Sequence, residues 1–225
     1  MTGEGARAMA ADGLEITWFG HAMFTVAGGG VTVACDPVPP EVGYLFGKVA
    51  ADLVLVTHEH FDHNYLDGIQ GSPRVQRSSG ELTFGGVEVE GIDTFHDARG
   101  GKERGANVIY SWRQAGFRLA HLGDLGEWPG AGVLERLYDL DIMMVPVGGV
   151  FTIDAEQAVK LVAELAPSIV LPMHYGTPVS SVPVDPLDPF IAAFPGTVRD
   201  VPERPLALGR DLVPAETEVW VVPYQ

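Results

Sequence analysis

The apolar residues of this chain come in short runs separated by glycines, and that spacing commits it to sheets. Asp52–Thr57, DLVLVT, is an unbroken run of leucine and β-branched residues, the pattern of a strand covered on both faces. Leu14–Phe19 alternates apolar and polar residues at period two, as a half-buried strand does. Met23–Pro37 reads as two strands joined through Gly28, Gly29 and Gly30, a hairpin signal. Leu82–Phe84, Val87–Ile92, Val108–Trp112 and Phe117–His121 read as further short strands.

Helices enter only in the second half. Val133–Leu140 is helix-like, and Asp141–Val147 follows as a buried strand. Asp154 with Gln157 three residues later has the spacing of a capping box. Ala158, Val159, Val162 and Leu165 then recur at helical spacing until Pro167 stops the helix. Ser168–Met173 is another buried strand, residues 176–189 form a surface loop rich in Pro, Ser and Asp, and Glu218–Tyr224 closes the chain as an edge strand. Sheets with helices outside them imply a layered α/β sandwich.

The 225 residues suit one domain, read as 13–225 with a flexible tail over 1–12. Hydrophobic residues make up 46% and charged residues 20%, which supports a core and excludes a disordered chain. Lys and Arg number 14 against 30 Asp and Glu, a net charge of -16. Such a field repels phosphate backbones, so small molecules are the expected partners rather than long nucleic acid, and a homo-oligomer is compatible with the composition. The single cysteine, Cys35, excludes an internal disulfide and a cysteine-based zinc site. No apolar run approaches the ~20 residues of a membrane helix, and the first residues lack the apolar stretch of a secretory signal, so the expectation is a cytoplasmic protein without membrane contact.

All seven histidines, His21, His58, His60, His63, His96, His121 and His174, lie at or just beyond the end of a predicted strand, where sheet proteins place their sites. The densest group, THEHFDHN over Thr57–Asn64, follows the buried strand directly. His58 and His60 are two apart, so on extended chain they share a face and can hold one metal ion. Asp62 and His63 diverge at a turn and can reach a second. Imidazole with carboxylate suits zinc, iron or manganese.

The string HEHFDH resembles the HxHxDH signature of the metallo-β-lactamase superfamily, and further landmarks follow in order: Asp36 in ACDP, His96 in TFHD, Asp124 in HLGDLG and His174 in LPMHY. With FGHAMF and VPVGG, the resemblance runs from Leu14 to about Pro178 and points to the branch that contains ascorbate-6-phosphate lactonase. It implies a four-layer αββα sandwich. It also implies two divalent cations, Zn2+ first and Mn2+ or Fe as alternatives. His58, His60 and His96 would hold the first, Asp62, His63 and His174 the second, and Asp124 would bridge them. The implied activity is a lactonase-like hydrolysis of a small carbonyl or phosphoryl substrate (lactone, amide or ester) by hydroxide generated between the cations. A small-molecule phosphodiesterase, an iron-dependent oxidoreductase and a non-catalytic relative are the alternatives.

Around that set, Asp36 can accept a hydrogen bond from a ligand histidine without touching metal, or merely start a turn. Asp62 can position the nucleophile and take its proton. The resemblance puts His21 at the rim, as a donor to substrate or as a structural residue. His121 either orients Asp124 or faces the pocket. Arg99, Lys102 and Arg104 follow His96 and can hold an anionic group, or sit on a solvated loop. Tyr175 and Thr177 can line the pocket, and Trp128 can wall it. Strand alternation turns Cys35 away from the site, and Trp18, Trp112 and Trp220 read as core.

Overall fold

The computed structural model describes residues 13–225; the expected tail over 1–12 lies outside them. The strands in chain order are β1 (Gly13–Gly20), β2 (Met23–Gly28), β3 (Val31–Cys35), β4 (Val49–Ala50), β5 (Leu53–Leu55), β6 (Ile69–Gln70), β7 (Arg74–Gln76) and β8 (Gly80–Phe84). There follow β9 (Val87–Phe95), β10 (Ala106–Gln114), β11 (Phe117–His121), α1 (Ala131–Glu135), β12 (Ile142–Pro146), α2 (Ala155–Leu165) and β13 (Ile169–Met173). The last elements are α3 (Asp188–Ala193), β14 (Thr197–Asp200), β15 (Leu206–Gly209) and β16 (Glu218–Val221).

One sheet runs β15-β1-β2-β3-β5-β7 and the other β14-β16-β13-β12-β11-β10-β9-β8, with β4 and β6 as a small separate pair. Ile16, Phe24, Val33, Cys35 and Leu55 of the first sheet share one apolar core with Ile109, Leu119, Met143 and Leu171 of the second. Cys35 is thus a buried thiol in the inter-sheet core, on the face the alternation assigned it. Trp18, Trp112 and Trp220 are buried as expected. The hairpin turn falls on Gly29 and Gly30, with φ of 59° and 80°, the two left-handed positions that a right-twisted two-residue turn requires.

Helix α2 covers the eight-stranded sheet with Ala158, Leu161, Val162 and Leu165. Its start is the expected reciprocal cap: Gln157 N donates to Asp154 Oδ1 at 2.8 Å and Asp154 N to Gln157 Oε1 at 3.0 Å. Ala166, at φ 45°, ends it just before Pro167. The outer face of the six-stranded sheet is covered differently. Phe19, Met23, Ala34 and Val54 pack against Val38, Val42 and Tyr44 from an irregular segment with a single 3-10 turn, Pro40–Val42. The architecture is mixed α/β, with two stacked sheets and few helices.

Three sequence expectations shift. The helix read over Val133–Leu140 is α-helical only as α1; past it the chain tightens into turns, with Arg136 N bonding Val133 O and Leu137 N bonding Leu134 O, and Asp139 at φ 60° bars any right-handed continuation. Strand β16 is interior, paired in parallel with both β13 and β14. The edge belongs to β14, whose four residues are all exposed and so carry no apolar pattern to read. The last two residues of the 176–189 loop open α3, with Pro189 in its first turn. Among the described residues no helix is long and apolar enough to cross a membrane.

Strands β3 and β5 run parallel, as do β11, β12 and β13, and β9 shares the direction of β11 through the antiparallel β10 between them. Asp36 and His58 therefore follow the carboxyl ends of parallel strands in the first sheet, and His96, Asp124 and His174 follow the carboxyl ends of like-directed strands in the second. Bonds between the sheets fix that edge: His174 N donates to His21 O at 3.0 Å, Val108 N to Thr57 O at 2.9 Å, and Tyr110 Oη to Val56 O at 3.2 Å.

Candidate metal centre

One carboxylate oxygen collects four imidazoles. Asp124 Oδ2 stands 3.2 Å from His96 Nε2, 3.2 Å from His174 Nε2, 3.3 Å from His63 Nε2 and 3.8 Å from His58 Nε2. His60 joins through Nδ1, 3.1 Å from His58 Nε2. All of these groups are buried except His60, which faces solvent. Residues spread from His58 to His174 along the chain thus meet at one point, as the HxHxDH resemblance implies.

The loop after β5 is held largely by residues outside the implied ligand set. Asp36, fully buried at φ 43°, accepts Thr57 N–H at 2.8 Å and Thr57 Oγ1–H at 2.7 Å. The Thr57 hydroxyl has only one proton, so it accepts from His58 Nδ1 at 3.0 Å, which leaves His58 Nε2 free. His63 Nδ1 donates to Asp36 Oδ2 at 2.9 Å, which leaves its Nε2 free as well. Asp36 therefore sets the tautomers of two imidazoles without facing the centre, the orienting role expected of it. Outside, Arg77 Nη1 bonds both Glu59 oxygens at 2.6 and 2.7 Å, and Asn64 Nδ2 donates to Glu59 Oε2 at 3.0 Å, clasping the loop from the solvent side.

Asp124 is placed by Asn107, whose Oδ1 accepts Asp124 N–H at 3.0 Å while its Nδ2 donates to Thr94 Oγ1 and Leu122 O. Asn107 was legible only as a lone amide beside the apolar run Val108–Tyr110. Gly123 between them takes φ 56°, and a Cβ there would lie 2.3 Å from Asn107 Oδ1, so only glycine lets this turn approach so closely.

The remaining expected residues separate into those the structure brings in and those it does not. Asp62 lies inside, its Oδ2 3.2 Å from His21 Nε2. His21 is not at a rim: it is 1% exposed, with its ring 4.2 Å from that of His174. His121 is buried with both nitrogens engaged, Nε2 donating to Ala22 O at 2.8 Å and Nδ1 accepting Gly123 N–H at 3.2 Å. It braces the turn before Asp124 and has no nitrogen left for catalysis. Tyr175 turns away, stacking near Trp18 at 5.1 Å and lining a 360 Å³ apolar groove with Pro202, Val222 and Tyr224. No candidate metal ligand lines that groove. Thr177 bonds the Tyr44 hydroxyl at 2.9 Å. Trp128 is half exposed.

The cationic loop is ordered by Asp97, which accepts the N–H groups of Arg99, Gly101, Glu103 and Arg104 at 2.8–3.1 Å. Those four bonds outweigh the opposing desolvation and hold the Asp97 carboxyl down at about 2. Arg99 pairs with Glu103 at 2.6 Å, and the Arg104 guanidinium lies 4.4 Å over the Phe151 ring. Two of the three cations therefore have neighbours of their own, and Lys102 is exposed.

The electrostatics suit a cation. Burial, reinforced by neighbouring histidines, lowers His58 to about 3 and His21 to about 4, so both imidazoles are neutral at pH 7. Burial also opposes ionisation of Asp124, but His174 and His63 overcome it and hold the carboxyl well below its ordinary range. His63 goes the other way: against its own burial, Asp124 and Asp36 raise it well above 6.5. Yet His63 Nε2, His96 Nδ1, His174 Nδ1 and Asp124 Oδ1 are buried without a hydrogen-bond partner. His63 Nε2 and Asp124 Oδ1 are orphaned within the cluster itself, and a buried set of imidazole and carboxylate with unmet polar atoms fits a divalent ion. Two triplets, His58-His60-His96 and His21-His63-His174, each have ligand atoms within 4.8 Å of one another.

The raised His63 value has a measurable consequence. Without a cation the imidazolium is fully stabilising below pH 6.5, and that contribution fades as pH rises through the folded-state value. A cation must displace this proton, so uptake of Zn2+ at pH 7 is expected to release about one proton from His63. Calorimetry in buffers of different ionisation enthalpy measures it; heats that do not depend on the buffer contradict the assignment.

Known proteins resemble this chain over most of its length. Residues 15–174 match the family described as the beta-lactamase superfamily domain. A UPF0173 metal-dependent hydrolase of Nitratidesulfovibrio vulgaris is 35% identical over 192 residues, 72% of this chain and 80% of that protein. A second UPF0173 metal-dependent hydrolase, from Methanopyrus kandleri, is 29% identical over 202 residues, 73% of this chain and 85% of its own length. Among solved structures, one from Thermotoga maritima, assigned as a Zn-dependent hydrolase of the metallo-beta-lactamase superfamily, superposes with a TM-score of 0.77 at 32% identity. That match covers 94% of this chain and 100% of the other.

Proposed function

This chain belongs to the metallo-β-lactamase superfamily, among its UPF0173 metal-dependent hydrolases, and we propose that it hydrolyses a small carbonyl or phosphoryl substrate with two divalent cations held side by side. The observation that carries the reading is the convergence of four imidazoles on Asp124 Oδ2 at 3.2–3.8 Å. His58, His60 and His96 would hold one cation, Asp62, His63 and His174 the other, and Asp124 would serve both. Cations there supply a Lewis acid for the attacked oxygen and lower the pKa of water toward ~7.

The chain's own groups prepare that chemistry. Asp36 and Thr57 aim His63 and His58 by fixing their tautomers. Asp62 is opposed by burial but held ionised by the His21 hydrogen bond and by His63, so it is available as an anionic ligand and as a hydrogen-bond acceptor that orients a water molecule. His60, on the solvent side, marks the direction from which substrate arrives. Zinc is the first choice of cation for this donor set, with manganese or iron next. Ester, lactone, amide and phosphoester bonds all suit such a centre, and the net charge of -16 favours small substrates over nucleic acid.

The test is metal analysis of the purified protein followed by a panel of lactone, amide, thioester and phosphoester substrates. Close to two cations per chain and turnover of one bond class are expected, with His60→Ala folded but at least about 10³-fold slower, a loss of roughly 4 kcal/mol of transition-state stabilisation. Retained turnover in His60→Ala, or a protein that takes up no metal, refutes the reading.

A further inference from the structure

His21 lies outside the ligand set that the family resemblance implies, yet the structure places it among those ligands. Its ring sits 4.2 Å from the ring of His174 and 4.9 Å from that of His63. Ligand nitrogens of His21, His63 and His174 all lie within 4.8 Å of one another, and all three residues are buried. Asp62 Oδ2, 3.2 Å from His21 Nε2, and Asp124 Oδ2, 3.2 Å from His174 Nε2, flank the triplet.

The turn that presents His21 is built for the purpose. Its backbone takes φ 51°, a left-handed conformation uncommon outside glycine. Three contacts hold it there. Trp18 Nε1 donates to His21 O at 3.1 Å, His174 N donates to the same oxygen at 3.0 Å, and the Tyr44 ring packs where a Cβ on Gly20 would have to go. His174 takes the matching conformation at φ 53°, so two left-handed residues bond across the sheets with their rings 4.2 Å apart. The side-chain partner of its ring is Asp62, itself one of the implied ligands, at 3.2 Å.

We infer that His21 is a ligand of the inner cation, so that the two positions are unequal. The inner one is closed, with three imidazoles from His21, His63 and His174 and two carboxylates from Asp62 and Asp124. The outer one has His58, His60 and His96 with the shared Asp124, and opens to solvent beside His60. A closed donor set holds its ion firmly, whereas a set with an open position exchanges it and admits substrate. The inner cation therefore binds first and leaves last.

This inference rests on the two-cation reading, and Co2+ binding separates the two. The wild-type protein is titrated with Co2+, following absorbance and heat, beside His21→Asn and His21→Gln. Asn tolerates the left-handed backbone, Gln has the reach of the imidazole, and both retain an N–H for Asp62, but neither supplies a ring nitrogen. Circular dichroism of the metal-free variants establishes that they fold. Two equivalents are expected in the wild type; in both variants the tighter one should weaken about tenfold or more with a changed visible spectrum, while the looser one is retained. Two unchanged equivalents in either folded variant overturn the ligand role of His21 and leave the two-cation reading standing. A wild type that takes up a single Co2+ overturns both.

Discussion

Asp124→Ala is expected to leave a folded chain that holds less than one firmly bound cation and hydrolyses at least about 10³-fold more slowly than wild type, a loss of roughly 4 kcal/mol in transition-state stabilisation. The size of the effect follows from position. Asp124 Oδ2 lies within 3.8 Å of histidines from both halves of the centre, so its removal withdraws an anionic donor from each half at once. It also leaves His58, His63, His96 and His174 facing one another with no negative charge between them, in a pocket where burial already disfavours imidazolium. Asp124→Asn separates the contributions: it keeps the shape and one neutral acceptor but removes the charge, and should fall between the alanine variant and the wild type in affinity. Metal analysis after dialysis, with initial rates on the substrate found by the panel, measures both. Wild-type metal content in Asp124→Ala would show that the histidines alone make the site.

Asp36→Ala is expected to produce the largest loss of stability at the site. Asp36 is fully buried, and its oxygens accept three bonds, from Thr57 N, Thr57 Oγ1 and His63 Nδ1. Each donor left unsatisfied inside the fold costs about 1–3 kcal/mol, and solvent reaches this position poorly, so a total of about 3–5 kcal/mol is expected. For a chain of this size that lowers Tm by roughly 6–20 °C. The same change releases the tautomers of His58 and His63, which should weaken metal affinity about 10–100-fold. Thermal melts of the metal-free proteins, set beside metal competition titrations, distinguish the two losses. A Tm within about 3 °C of wild type would mean that water or a shifted side chain takes over the bonds of Asp36.

The candidate ligands were legible because their spacing is local or their order is distinctive. His58, His60, Asp62 and His63 stand within six residues after an apolar strand, and the strand-end positions of His96, Asp124 and His174 follow from runs that read as buried strands. The cap on α2 and the glycine hairpin were legible for the same reason, since each depends on residues no more than three apart. Strand β14 was not, because an exposed edge strand lacks a buried face to pattern its sequence. Nor was the interior place of β16, which depends on β13 and β14 meeting it from both sides.

Contacts across long stretches of chain were closed to sequence reasoning. His21 meets Asp62 across 41 residues, His63 meets Asp36 across 27, and Asn107 meets Asp124 across 17. Which nitrogen of an imidazole is free, whether His121 faces the centre or braces a turn, and which way Tyr175 points are all settled by partners of this kind. The amino-acid order by itself determined which residue types stand at which strand ends, and hence that a cation-binding sheet protein was in view. Only the packing of two sheets decided how those side chains are aimed, because hydrogen-bond direction and burial arise where distant segments meet, and neither exists until they do.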